Sequence, residues 1–304
     1  MIEARNLTKR YGSTLAVDDL SFDIRPGIVT GFLGPNGAGK TTTMRMILGL
    51  DRPDSGAVTI DGRRFRDLAV PLQEVGALLD AKAFHGGRSG YNHLLCLAQS
   101  NGIPARRVDE VLAIVGLETA AKRRAQTYSM GMGQRLGIAA ALLGDPAVLM
   151  FDEPVNGLDP EGIAWVRRLM RDLAAHGRTV FVSSHLMIEM ALTAEHVIVI
   201  GRGRLIRDES ISTFINSSSR GSVTVRTPQP DRLAVALREA GAATTTDNTG
   251  AMAVTGLDAA AIGELAAAAG IVLHELTPQR ASLEEAFMEL TSDAVEFHAT
   301  EQVS

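Results

Sequence analysis

Apolar residues near the N-terminus fall in short runs broken by turn residues. The runs are Ile2 to Leu7, Leu20 to Ile24, Val29 to Leu33 and Val58 to Ile60, punctuated by Pro26-Gly27 and Asp61-Gly62. This pattern predicts a β-rich lobe. From Ser89 to about Gly144 the spacing becomes helical, as in Val108, Val111, Leu112 and Val115, with Gly116 as a stop. A helical lobe over 89–144 follows. Strands return at Val148 to Phe151, Val180 to Ser183 and Val197 to Ile200, with a helical stretch from Glu161 to Ala175 between the first two. Strand and helix in alternation predict a parallel sheet with crossover helices.

After Ile215 the chain runs Asn216-Ser217-Ser218-Ser219-Arg220-Gly221-Ser222, a small polar stretch with the composition of a linker. The expected division is therefore a large α/β domain over 1–215, a linker over 216–222 and a smaller C-terminal domain over 223–304. The tail reads strand (Val223 to Arg226), helix (Asp231 to Ala240), strand (Ala242 to Thr246), strand (Met252 to Thr255), helix (Asp258 to Ala269) and strand (Val272 to Leu276). That is the order of a ferredoxin-like α+β fold, and a last helix over Leu283 to Leu290 completes the reading. No side-chain chemistry is legible in this tail.

Composition narrows the class. The 304 residues are 45% hydrophobic and 21% charged, which suits folded domains, and the formal charge of -5 disfavours a broad phosphate-backbone surface, so no nucleic-acid partner is expected. Cys96 is the only cysteine, so an intrachain disulfide or a multi-cysteine metal site is excluded. Charges at Glu3 and Arg5 interrupt the start where a signal peptide needs an apolar core, and no stretch reaches the ~20 apolar residues that span a bilayer. Any membrane role is expected to be peripheral.

The chemistry begins at Gly34-Pro35-Asn36-Gly37-Ala38-Gly39-Lys40-Thr41, followed by Thr42. It fills the phosphate-binding loop pattern between an apolar strand and a helical run from Thr42 to Leu50. Glycines let backbone N–H groups turn toward phosphates at a helix N-terminus, Lys40 supplies a mobile cation, and the Thr41 hydroxyl suits Mg²⁺. A glycine-rich turn with an exposed lysine would lack the flanking strand and helix. The second element is Ala147-Val148-Leu149-Met150-Phe151-Asp152-Glu153, an apolar strand ending in two carboxylates. Asp152 is placed to hold Mg²⁺, and Glu153 to act as the general base on the attacking water. Alone, such an ending is common and is more often a solvated turn.

Tyr128-Ser129-Met130-Gly131-Met132-Gly133-Gln134-Arg135 decides which kind of phosphate-loop protein this is. The segment resembles the signature of the ATP-binding cassette (ABC) family at Ser129, Gly131, Gln134 and Arg135, and departs from it at Tyr128, Met130 and Met132. The resemblance implies a P-loop NTPase cassette with a β-rich lobe, a RecA-like core and a helical lobe. It also implies that Ser129 and Gly131 bind the γ-phosphate held by a second protomer, that Asp159 in Asn156-Gly157-Leu158-Asp159-Pro160 communicates between two sites, and that His185 is the switch histidine. Tyr11 resembles the aromatic that stacks on adenine; read alone it is equally a core residue. Where the family usually has glutamine between its lobes, Val75-Gly76-Ala77-Leu78-Leu79-Asp80 places Asp80, whose carboxylate is a hard ligand for Mg²⁺ but would also repel phosphate.

These features imply an ATP hydrolase that dimerises around two ATP molecules and drives a separate membrane permease, from the cytoplasmic face of the membrane. Ser129, Glu153 and His185 in one chain favour a homodimer. The stretch Ala281 to Thr291 resembles cassettes of bacterial drug and antibiotic exporters. Two other readings are a soluble cassette ATPase acting on nucleic acid or ribosomes and a nucleotide-switched regulatory module. The first lacks an expected coiled-coil insertion or second cassette, and the second is opposed by Glu153.

Overall fold

Buried and exposed side chains alternate along β1 (Ile2–Tyr11) and β2 (Thr14–Ile24), which pair as an antiparallel hairpin. The apolar run predicted β1 only to Leu7. The ladder continues through Lys9, Arg10 and Tyr11, opposite Val17, Leu15 and Thr14, because backbone pairing survives where the side chains turn to solvent. Next come β3 (Val29–Leu33), α1 (Lys40–Ile47) and β4 (Ser55–Ile60), the last pairing with β1 in a three-stranded sheet. α1 closes earlier than the predicted Leu50. Its final carbonyls are taken up by a tight turn in which Leu50 N–H donates to Arg45 and Gly49 N–H to Met46.

A second layer is built from β3 and later strands. After α2 (Pro71–Glu74) and β5 (Val75–Leu78), three helices follow, α3 (Gly90–Ser100), α4 (Arg106–Ile114) and α5 (Met130–Leu142). Then come β6 (Val148–Asp152), α6 (Pro160–Ala175), β7 (Thr179–Ser184), α7 (Met187–Thr193), β8 (His196–Gly201), β9 (Arg204–Ser210) and α8 (Ile211–Ser217). The sheet order is β5-β6-β7-β3-β8-β9, parallel throughout except for β9. β3 and β7 are buried at every position, as strands covered on both faces must be. Phe22, Phe32 and Phe181 join the two sheets with ring centroids 5.0 to 6.0 Å apart. Each buried ring contributes about 2–3 kcal/mol of transfer free energy.

The described residues are 1–217, 222–247, 250–279 and Phe287 in this computed structural model, and the chain separates into two compact units at Ile211 and Ser212. In the second unit β10 (Ser222–Arg226), α9 (Pro230–Glu239), β11 (Ala243–Thr246), β12 (Met252–Thr255), α10 (Ala259–Ala268) and β13 (Glu275–Gln279) form an antiparallel sheet in the order β11-β12-β10-β13. This is the topology of a ferredoxin-like split βαβ. Val225, Leu233, Leu237, Val254 and Ile262 fill its core. The last strand sits three residues later than the predicted Val272 to Leu276. Val272 is exposed, and the ladder starts only where Glu275 meets Arg226. Of the expected linker, Asn216 and Ser217 belong to α8 and Ser222 to β10, while 218–221 lie outside the described residues. The expected helix Leu283 to Leu290 also lies outside them, apart from the buried Phe287.

Candidate nucleotide site

The C-terminal ends of the parallel strands gather the polar residues that the sequence singles out. β3 ends at Leu33 and the chain turns through Gly34 to Gly39 into α1. Two glycines in this turn are required by geometry. Gly39 has φ +101°, and a Cβ there would meet the Ala16 carbonyl at 2.4 Å; a Cβ on Gly34 would meet the Ile200 carbonyl at 2.6 Å. The Lys40 ammonium donates to the carbonyls of Gly34 (2.6 Å) and Pro35 (3.3 Å) and is buried. Burial lowers the Lys40 pKa, opposed by the nearby Glu153 and Asp152 carboxylates.

Asp152 and Glu153 leave the end of β6 in different directions. The Thr41 hydroxyl donates to Asp152 Oδ2 at 2.7 Å, while the Ser183 hydroxyl on neighbouring β7 donates to Asp152 Oδ1. Glu153 has φ +50°, a left-handed backbone that a side-chain-bearing residue rarely adopts. It is held from both sides. Its N–H donates to Ser183 Oγ at 3.0 Å, and its carbonyl accepts from the Gln134 side chain at 3.2 Å. The Glu153 carboxylate accepts from His185 Nδ1 at 2.7 Å; since a carboxylate only accepts, the proton is assigned to Nδ1. Thr41, Asp152, Ser183, Glu153 and His185 thus form one connected polar chain.

A cleft of about 910 Å³ opens over this chain. Asn36 to Thr42, Asp152 and Glu153 line one side, and Asp80, Ser129 and Met130 line another. Ser129 caps α5, its hydroxyl accepting from Met132 N–H at 3.2 Å. The uncapped N–H groups of a helix start favour an anion. Asp80 lines the cleft with one carboxylate oxygen accepting from the Lys82 N–H at 2.8 Å.

Other expected site residues stand back from the cleft wall. Gly131 lies against Gly157 and Leu158, Asp159 caps α6 by accepting from Gly162 N–H at 2.8 Å, and His185 reaches the cleft through Glu153. Tyr11 is half exposed, and its hydroxyl donates to Asp51 at 2.6 Å. Sequence reasoning passed over two residues that hold Asp152 and the Glu153 backbone. Ser183 stood beside His185 and Gln134 inside the signature, but neither hydrogen bond follows from its neighbours in the chain.

A phosphate-type loop at a helix start, opposite a strand-end carboxylate pair, defines a P-loop nucleoside triphosphatase. Comparisons with known proteins narrow this class. A sequence-family model described as ABC transporter matches residues 17–156, and one described as a domain of unknown function (DUF8746) matches residues 221–284. The ABC transporter ATP-binding protein YhcH of Bacillus subtilis is 36% identical over 97% of both chains. The bacitracin transport ATP-binding protein BcrA of Bacillus licheniformis is 43% identical over 68% of this chain and 69% of its own. A solved ATP-binding subunit of an ABC transporter superposes with a TM-score of 0.65 at 26% identity, covering 71% of this chain and 92% of its own. A dimeric cassette in a post-hydrolysis state with ADP and phosphate gives 0.64 at 25% identity, over 69% of this chain and 99% of its own. The chain belongs to the ABC transporter ATP-binding proteins. It is an ATPase whose hydrolysis is coupled to transmembrane transport.

Proposed function

We propose that this chain powers export of small molecules of the drug or antibiotic class, as a homodimer that closes around two ATP molecules and moves a separate membrane permease. The observation that carries the reading is the connected chain from Thr41 through Asp152 and Ser183 to Glu153 and His185 at the mouth of the cleft. The likeness to a bacitracin transport protein supports the substrate class. We assign the permease to another chain and this subunit to the cytoplasmic membrane face; among the described residues no helix is long and apolar enough to cross a membrane.

In this reading the loop from Gly34 to Thr42 wraps the phosphates and Lys40 neutralises their charge, with Tyr11 under the adenine. The Thr41 hydroxyl and Asp152 carboxylate are adjacent hard oxygens that fit Mg²⁺, with Asp80 as a further oxygen donor at the cleft. That ion, when bound, screens the phosphate charge. Glu153 accepts the proton of the attacking water while His185 Nδ1–H fixes the direction of its carboxylate. Ser129, Gly131 and the start of α5 serve the γ-phosphate of the partner protomer, and Asp159 links the two sites. We assign residues 1–215 to this cassette, 216–222 to a linker and 223–304 to an accessory domain that stabilises the assembly.

The test is ATP turnover by wild-type and Glu153→Gln protein with their sizes in ATP and Mg²⁺. A general base is worth about 10²–10⁴-fold, so the variant is expected to lose that much turnover, keep ATP and accumulate as a dimer. Equal turnover in the two proteins would remove Glu153 from the mechanism.

A further inference from the structure

The phosphate loop leads into α1, whereas Tyr11 lies at the tip of β1, back from the cleft wall and far from α1 in sequence. What joins them is a set of side chains that all belong to α1 or to the turn leaving it. Tyr11 Oη donates to Asp51 Oδ2 at 2.6 Å. The same carboxylate accepts from Arg45 of α1, from Nε at 2.7 Å and from Nη2 at 3.3 Å. On the β1 side, the Lys9 ammonium stands 5.3 Å from the centre of the Tyr11 ring, held by the Arg52 carbonyl at 2.7 Å and by Asp54 at 3.4 Å.

We propose that Asp51, clamped by Arg45, is a positioning residue for nucleotide binding: it ties the Tyr11 ring to the helix that holds the phosphates and so sets the distance between base and phosphate subsites. The inference rests on the reading of Tyr11 as the adenine platform. A ring on an exposed strand tip is free to rotate about two side-chain bonds, and stopping that rotation before binding spares the nucleotide an entropic cost. The tether is stable through neutral pH. The hydrogen bond to Asp51 raises the Tyr11 pKa, and those from Arg45 and Tyr11 lower that of Asp51, so phenol and carboxylate keep their donor and acceptor forms. The ligand this serves is one with both a flat base and a phosphate chain. Inorganic triphosphate has only the second and is indifferent to the ring.

The experiment measures equilibrium binding of ATP and of inorganic triphosphate to the full chain and to Tyr11→Ala, Tyr11→Phe and Asp51→Asn variants. Loss of base stacking in Tyr11→Ala is expected to weaken ATP about tenfold or more. Tyr11→Phe, which keeps the ring and removes its hydrogen bond, and Asp51→Asn, which keeps an acceptor but loses the charge that draws both Tyr11 and Arg45, are each expected to weaken ATP about three- to fivefold. All three variants should bind inorganic triphosphate as the wild type does. If Tyr11→Ala weakens ATP while Tyr11→Phe and Asp51→Asn do not, the platform stands and the tether is overturned. If Tyr11→Ala binds ATP normally, the platform reading fails and the tether with it. If Asp51→Asn weakens triphosphate as much as ATP, Asp51 merely supports α1 and the positioning role is overturned.

Discussion

The two units of this chain are built from similar pieces and differ in the direction of their strands. In the first, β5, β6, β7, β3 and β8 run parallel, so the loops leaving β3, β6 and β7 emerge along one edge and bring Lys40, Asp152, Glu153 and His185 together. In the second, β11, β12, β10 and β13 run antiparallel, so successive strand ends point opposite ways and the helices α9 and α10 close an apolar core. Strand direction alone thus decides whether a sheet can concentrate polar residues at one end. Both units have caps, cores and turns; the first also has a strained glutamate held at φ +50°, the kind of local cost that persists where function requires it.

That contrast predicts that damage to the two cores separates stability from catalysis. Leu237 is fully buried between α9 and the antiparallel sheet. Leu237→Ala should cost about 2–5 kcal/mol of local stability. Its ATP affinity at a temperature where the variant is folded should match that of the wild type. Calorimetry alongside ATP titration checks this, and a parallel fall in ATP affinity would mean that the second unit takes part in nucleotide binding.

Ser183 offers a smaller effect of the opposite kind. Its hydroxyl donates to Asp152 and accepts from the strained Glu153 N–H, so Ser183→Ala leaves that N–H only the Ser183 carbonyl at 3.3 Å and frees the Asp152 carboxylate to shift. A lost hydrogen bond of this kind costs about 1–3 kcal/mol of stability, a fall of several degrees in melting temperature, and with Asp152 misplaced turnover should fall about tenfold or more. A large loss of stability with normal turnover would make Ser183 a packing residue of β7.

How far the sequence revealed these features depended on how local their causes are. The phosphate loop, the Val148 to Asp152 strand and the stop at Gly116 were legible because each is written in adjacent residues. β9 from Arg204 to Ser210 and α7 from Met187 to Thr193 left no periodic apolar signal. β9 is a mostly exposed edge strand, and α7 exposes Ile188 and Leu192. β5 was visible only as a segment between lobes, since its strand character comes from pairing with β6. Glu153 was found by its place after an apolar strand, whereas its left-handed backbone and its grip by Ser183 and Gln134 arise only when β6, β7 and α5 meet. Tyr11 was singled out by its type, and its tie to Asp51 crosses from one strand tip to the turn after α1.

The smallest effect is also the most direct comparison of the two units, because each contains a helix capped by the same chemistry. Asp159 accepts from Gly162 N–H at the start of α6, and Asp258 accepts from Ala261 N–H at the start of α10, both at 2.8 Å. As caps they are equivalent, and Asp→Ala at either should cost about 0.5–2 kcal/mol of stability. If Asp159 also carries a signal between two nucleotide sites, Asp159→Ala should lower ATP turnover and blunt its dependence on ATP concentration, while Asp258→Ala should change neither. Steady-state kinetics on the two variants at matched folded fraction makes the comparison. Equal, unaltered kinetics would reduce Asp159 to a helix cap and leave communication between sites to other residues.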